Sequence, residues 1–134
     1  MNNLRMIERD EETDGDAEVT WEDQQRINSF SKLNNRLRGI QEKLDGLKEE
    51  KDALDDLATE IELADESDAV LYRIGEAFFH LRHSQATKRL ERDQSNIDTK
   101  VATLTSQSED CQKDMAELKV KLYAKFGRAI NLDE

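Results

Sequence analysis

The 134-residue chain contains no proline, five glycines, a single cysteine and only 5% aromatic residues. With proline missing and glycine scarce, the usual interruptions of loop-rich folds are gone and helices can run unusually long. The lone cysteine, Cys111, excludes an internal disulfide. No apolar run approaches the roughly 20 residues that span a bilayer, and the N-terminus lacks the apolar stretch of a signal peptide, so a cytoplasmic protein is expected. Cations are also outnumbered: 20 Lys and Arg against 31 Asp and Glu leave a formal charge of -11. Such a chain repels phosphate backbones and anionic lipid, which removes nucleic acid and membrane from the expected partners. Charge as a class is abundant, 38% of residues against 36% hydrophobic, a balance that suits a coiled coil better than a compact core.

Catalytic signatures are missing too. There is no glycine-rich phosphate loop, no Cys-x-x-Cys and no His-Glu-x-x-His, so no enzyme activity, no cofactor and no metal site is expected. His80 and His83 lie three apart at the end of an expected strand, where alternation sends them to opposite faces and leaves them solvated. Asp55, Asp56, Glu60, Glu62, Asp65, Glu66 and Asp68 lack the glycine and the spacing of a calcium loop and read as a solvated acidic face.

The apolar residues that remain are periodic. Residues 1–18 are acidic without a period and are expected to be a disordered tail. At Thr20-Trp21-Glu22-Asp23 a capping box opens a helix expected over 20–64, with Phe30, Leu37, Leu44, Lys51 and Ala58 at heptad position a and Leu33, Ile40, Leu47, Leu54 and Ile61 at d. A second helix, expected over 84–126, carries Gln94, Val101, Ser108, Met115 and Leu122 at a, and Leu90, Ile97, Leu104, Cys111 and Leu118 at d. A C-terminal extension, 127–134, follows. Lys51, Gln94 and Ser108 are polar seam positions that set register, with Lys51 able to reach Glu50 or Asp98.

Between the helices, residues 69–82 alternate around Gly75-Glu76, and glycine first in a two-residue loop suits a type II′ hairpin turn. Pairing Ile74 with Ala77, Tyr72 with Phe79 and Val70 with Leu81 gathers these side chains on one face, while Leu71 and Phe78 share the opposite, wetter face with Arg73 and His80. The hairpin reverses the chain, and antiparallel pairing of residues whose numbers total 148 sets a against d from Phe30 with Leu118 to Ala58 with Leu90. The expected fold is mainly α: an antiparallel two-helix coiled coil with one β-hairpin at the bend.

Two apolar surfaces then need explaining. Nothing further in the chain is expected to cover Val70, Tyr72, Ile74, Phe79 and Leu81, which leaves on the order of 10 kcal/mol of burial available for association. Together with Leu71 and Phe78 they form the candidate subunit interface. At the far ends of the helices Trp21, Ile27, Phe30, Leu122, Tyr123, Phe126 and Ile130 form the second candidate site, with Leu132 beside them. Phe30 and Leu122 lie in the seam and could equally staple the helix ends. Trp21, Tyr123, Phe126 and Ile130 lie at or beyond the last complete layer, where partial exposure is expected.

Three segments carry a family resemblance: Val19-Thr20-Trp21-Glu22-Asp23-Gln24-Gln25-Arg26-Ile27-Asn28, Tyr72-Arg73-Ile74-Gly75-Glu76-Ala77-Phe78, and Leu118 to Gly127 with Ile130-Asn131-Leu132. They are similar to the helix-opening, hairpin and C-terminal motifs of prefoldin, and within that family to a β-type subunit of the eukaryotic complex. Leu71 stands where that pattern has proline. The resemblance implies a heterohexamer of two α-type and four β-type subunits, so that this chain would join two α-type and three further β-type partners. Their hairpins would build a double β-barrel, and the coiled-coil tips would hold unfolded actin and tubulin, without ATP, for delivery to the cytosolic chaperonin. The alternative is a structural coiled-coil adaptor whose aromatic patch docks one folded partner, although such an adaptor needs no hairpin at its bend.

Overall fold

The computed structural model describes residues 5–6, 18–127 and 130–132. Six elements follow in chain order: β1 (Arg5–Met6), α1 (Trp21–Leu63), β2 (Ala69–Ile74), β3 (Ala77–Arg82), α2 (His83–Phe126) and β4 (Ile130–Asn131). Both long helices end within a residue of the positions that heptad and capping signals set, and the hairpin occupies 69–82 as expected. The chain divides into two compact units, residues 1–42 with 106–134, and residues 43–105.

In the first unit α1 opens on a complete capping box. The Asp23 amide donates to Thr20 Oγ1 at 3.1 Å, and the Thr20 amide donates to Asp23 Oδ2 at 3.1 Å. Two otherwise orphaned amides are thereby satisfied at the positive end of the helix. The core of this unit is drawn from the expected seam, with Phe30, Leu37, Ile40, Cys111, Met115 and Leu122 buried, and adds Ile27, Phe126, Ile130 and Leu132. Helix α2 stops at Phe126 because Gly127 takes φ +56°, the left-handed conformation of a helix C-cap. Past it, β4 pairs antiparallel with β1, Arg5 opposite Asn131 and Met6 opposite Ile130. The expectation of a disordered tail over 1–18 is therefore corrected at Arg5–Met6; residues 1–4 and 7–17 lie outside the described residues.

In the second unit the hairpin has the expected register, from Ala69 opposite Arg82 to Ile74 opposite Ala77. Gly75 has φ +64° and no described non-glycine residue has positive φ, so only the first loop residue is left-handed, as a type II′ turn requires. Residue Ala64 and the acidic loop after it bend back through a tight turn: the Asp68 amide donates to the Asp65 carbonyl at 2.9 Å. The Ser67 amide and hydroxyl donate to Asp65 Oδ1 at 3.1 and 3.0 Å. Those two donors, the amide first, hold the Asp65 carboxyl below its ordinary pKa. The last turn of α1 has no basic residue; instead His83 Nε2 donates to the Ile61 carbonyl at 2.9 Å. His83 is thus the half-buried first residue of α2 and not the solvated strand histidine expected.

Midway along this unit the seam is thin. Leu44, Leu47, Leu54, Val101 and Leu104 are only half-buried, because two helices alone cannot enclose every a and d side chain. Near the hairpin burial deepens to a cluster of Ile61, Val70, Tyr72, Ala86 and Leu90, with Leu54, Leu57, Ala58, Ile74 and Leu81 packed against it.

Candidate functional site

Tyr72 decides what the hairpin can offer a partner. It is 1% exposed and its hydroxyl donates to Asp93 Oδ2 at 2.7 Å, while Arg89 Nε lies 3.2 Å from the same oxygen. Burial foremost, then the adjacent carboxylate, drives the phenol pKa well above its ordinary value, so Tyr72 remains a neutral donor. Val70 is buried beside it, and Ile74 and Leu81 are partly buried. This corrects the expectation that the inner hairpin face has no cover within the chain: the facing ends of α1 and α2 supply it. The apolar side chains left out are Leu71 at 52% exposure, Phe78 at 62% and Phe79 at 48%. Leu71 and Phe78 lie diagonally on the outer face, where Leu71 pairs with His80 and Phe78 with Arg73. They border an open groove of about 730 Å³, with Leu54, Leu57 and Ile97 among its lining residues.

The second candidate site lies in the first unit and also separates into buried and exposed members. Trp21 is 73% exposed and Tyr123 40%, whereas Ile27, Phe30, Leu122, Phe126 and Ile130 are buried. Partial exposure expected for Phe126 and Ile130 is therefore corrected; with Leu132 they close the core beyond the last seam layer. Heptad position separates the two sets. Trp21 is an f position and Tyr123 a b position, both directed outward, and the same reading adds Val120 at f, 70% exposed and not singled out from sequence. Val19, just before α1, is 42% exposed.

Between these exposed residues sits a polar layer that the seam pattern could have revealed. Asp23 and Lys125 continue the a-to-d pairing at the same total of 148, and Lys125 Nζ donates to Asp23 Oδ2. Arg26 Nη1 reaches Asp23 Oδ1 at 3.0 Å, and Lys125 also lies 5.3 Å from the centroid of the Phe126 ring. The Asp23 side chain is 2% exposed. Burial alone would raise its pKa, but the hydrogen bond from Lys125 and those from Thr20 prevail and hold it at about 2. In the second unit Lys51 pairs with Asp98 at 3.3 Å, one of the two acids expected for it. The acidic residues from Asp55 to Asp68 are exposed, and among the described residues no group of three or more His, Cys, Asp or Glu could hold a metal ion. No described helix is long and apolar enough to cross a membrane.

Comparison with known proteins fits this geometry. A solved structure, the prefoldin beta subunit from Thermococcus strain KS-1, superposes with a TM-score of 0.72 over 83% of this chain and 97% of that one. At 13% identity it establishes the shared fold. Prefoldin subunit 4 of Saccharomyces cerevisiae is 44% identical over 117 residues, covering 87% of this chain and 91% of the yeast protein. Prefoldin subunit 4 of Homo sapiens is 36% identical over 119 residues, covering 88% and 89%. A family model described as "Prefoldin subunit" matches residues 24–129, from the capping turn of α1 to the approach of β4. Two long helices, a hairpin between them and this degree of identity together place the chain in the prefoldin subunit family.

Proposed function

We propose that the chain is one subunit of a cytoplasmic heterohexamer that holds unfolded actin and tubulin without ATP and passes them to the cytosolic chaperonin. In this reading it joins two α-type and three further β-type subunits through its hairpin, where Leu71 and Phe78 are exposed on the outer face and Phe79 at the margin of the inner one. Client chains are held at the first unit. The observation that carries the holding function is the outward placement of Trp21, Val120 and Tyr123 on a unit whose core is already closed. Apolar side chains at f and b positions contribute nothing to the seam, so their role lies outside it. Each contact is weak, and six subunits acting on one client convert weak contacts into useful retention through effective concentration while leaving release possible.

Replacing Trp21, Val120 and Tyr123 with serine tests this directly. Since all three are outside the core, the assembled complex is expected to form normally and to lose much of its suppression of actin aggregation. Undiminished suppression by the intact complex would refute holding at this surface.

A further inference from the structure

Strand β4 consists of two residues, and the segment paired with it comes from the opposite end of the sequence: Arg5 and Met6 lie antiparallel to Asn131 and Ile130. The side chains at 130 and 132 are 3% and 1% exposed, so β4 is anchored by inward-facing apolar groups of its own unit. Its backbone edge is what β1 pairs with. A row of main-chain donors and acceptors is a template for any extended polypeptide, whatever its sequence. Edge and exposed apolar residues belong to one unit, residues 1–42 with 106–134. A pair of two-residue strands is marginal in water, so its occupant can be exchanged.

We infer that the backbone edge of β4, at Ile130–Asn131, is a strand-docking site for the extended backbone of an unfolded polypeptide, and that β1 is its internal occupant. The inference rests on the holding function proposed above and adds to it a way of recognising the unfolded state itself. An unfolded chain has unpaired amides and carbonyls throughout, whereas a folded protein has few to offer. The exposed side chains supply apolar contact and β4 supplies register-free main-chain pairing. Residues 7–20 tether β1 to α1, so β1 competes at the high local concentration of an intramolecular segment. Client binding must displace it, which lowers apparent affinity by the fraction of time that the edge is covered.

The test uses the full chain and two variants, Met6→Pro and a deletion of residues 2–7, each assembled with its partner subunits. Binding of a reduced, carboxymethylated unfolded protein is followed by fluorescence anisotropy, and amide exchange is read at residues 130–132. Proline at Met6 removes a donor and resists strand pairing. If β1 covers the edge about nine-tenths of the time, both variants bind the unfolded probe about tenfold more tightly. A peptide with the sequence of residues 1–10, added in trans, then competes with the probe for the deletion variant. Exchange at 130–132 accelerates in that variant and slows again when the probe is added. Equal affinity for the three forms, or exchange at 130–132 that ignores the probe, overturns the inference while leaving holding intact. Failure of all three forms to bind the probe overturns the holding function and the inference together. If deletion yields larger assemblies at the expense of probe binding, the edge takes a second copy of this chain and the inference is wrong.

Discussion

Asp23 shows how much one side chain of this fold is asked to do. It caps α1, accepts from Lys125 of α2 and pairs with Arg26, all while almost fully buried. Its folded pKa of about 2 lies below the ordinary 3.8, so the folded chain sheds this proton more readily than the unfolded one. The resulting stabilisation is complete above about pH 4 and disappears as pH falls through about 2. Asp23→Asn should cost about 2 kcal/mol at neutral pH, the scale of a charge-assisted hydrogen bond left unmade. The variant's melting temperature should also lose dependence on pH between 4 and 2 relative to the parent; identical acid profiles would show that Asp23 is not the titrating group. The capping role was legible in the sequence, since Thr20 and Asp23 stand three apart before an apolar run. The tie to Lys125 was hidden because charged residues at seam positions read as the end of a coiled coil, whereas here they form one more layer of it.

For the elements, periodicity located boundaries well and burial less well. Heptad spacing and strand alternation say which side of an element faces inward, and so α1, α2 and the hairpin end where expected. They do not say what covers that side. Val70 and Tyr72 were assigned to one apolar face correctly, but the cover comes from Ile61, Ala86 and Leu90 of the adjoining helices. Asp93, which secures Tyr72, sits four residues from Arg89 and carries no signal of a partner in the hairpin. The strand pair of β1 and β4 could not be read at all, because two residues are too few to show a period. The turn was the clearest element in the sequence, and it yields a sharp expectation. With φ at +64°, Gly75→Ala places a Cβ in left-handed backbone and should lower stability by about 1–2 kcal/mol. Beyond Gly75 and its two chain neighbours no atom lies within 4 Å of the added carbon, so the loss should come from backbone strain, and Gly75→Asn should recover part of it in thermal melts.

As a molecule, the chain combines a charge of -11 with two exposed apolar surfaces, one in each unit. Like-charge repulsion keeps such surfaces from indiscriminate association, and the pairing that does occur must then be specific. The outer hairpin face provides the decisive experiment. Leu71→Glu combined with Phe78→Glu leaves Tyr72 and its cluster untouched, so far-UV circular dichroism should be unchanged, while co-purification with partner subunits should fall to background. A complex that survives both charges would place the interface elsewhere. The choice of residues depends on the structure: charging Tyr72 instead would break the chain's own core and could not distinguish misfolding from lost assembly. Exposure at Trp21 and Tyr123 was legible from their place outside the seam; closure over Phe126, Ile130 and Leu132 was not, because it depends on a chain end folding back past Gly127.

One buried atom offers a practical handle on all of this. Cys111, the sole thiol in the chain, is 3% exposed within the first unit's core. An alkylating reagent can react only when that core opens, so its labelling rate acts as a clock for local breathing, with no background from other sulfhydryls. Read with and without an unfolded polypeptide added, that clock reports whether the first unit loosens, tightens or ignores the addition.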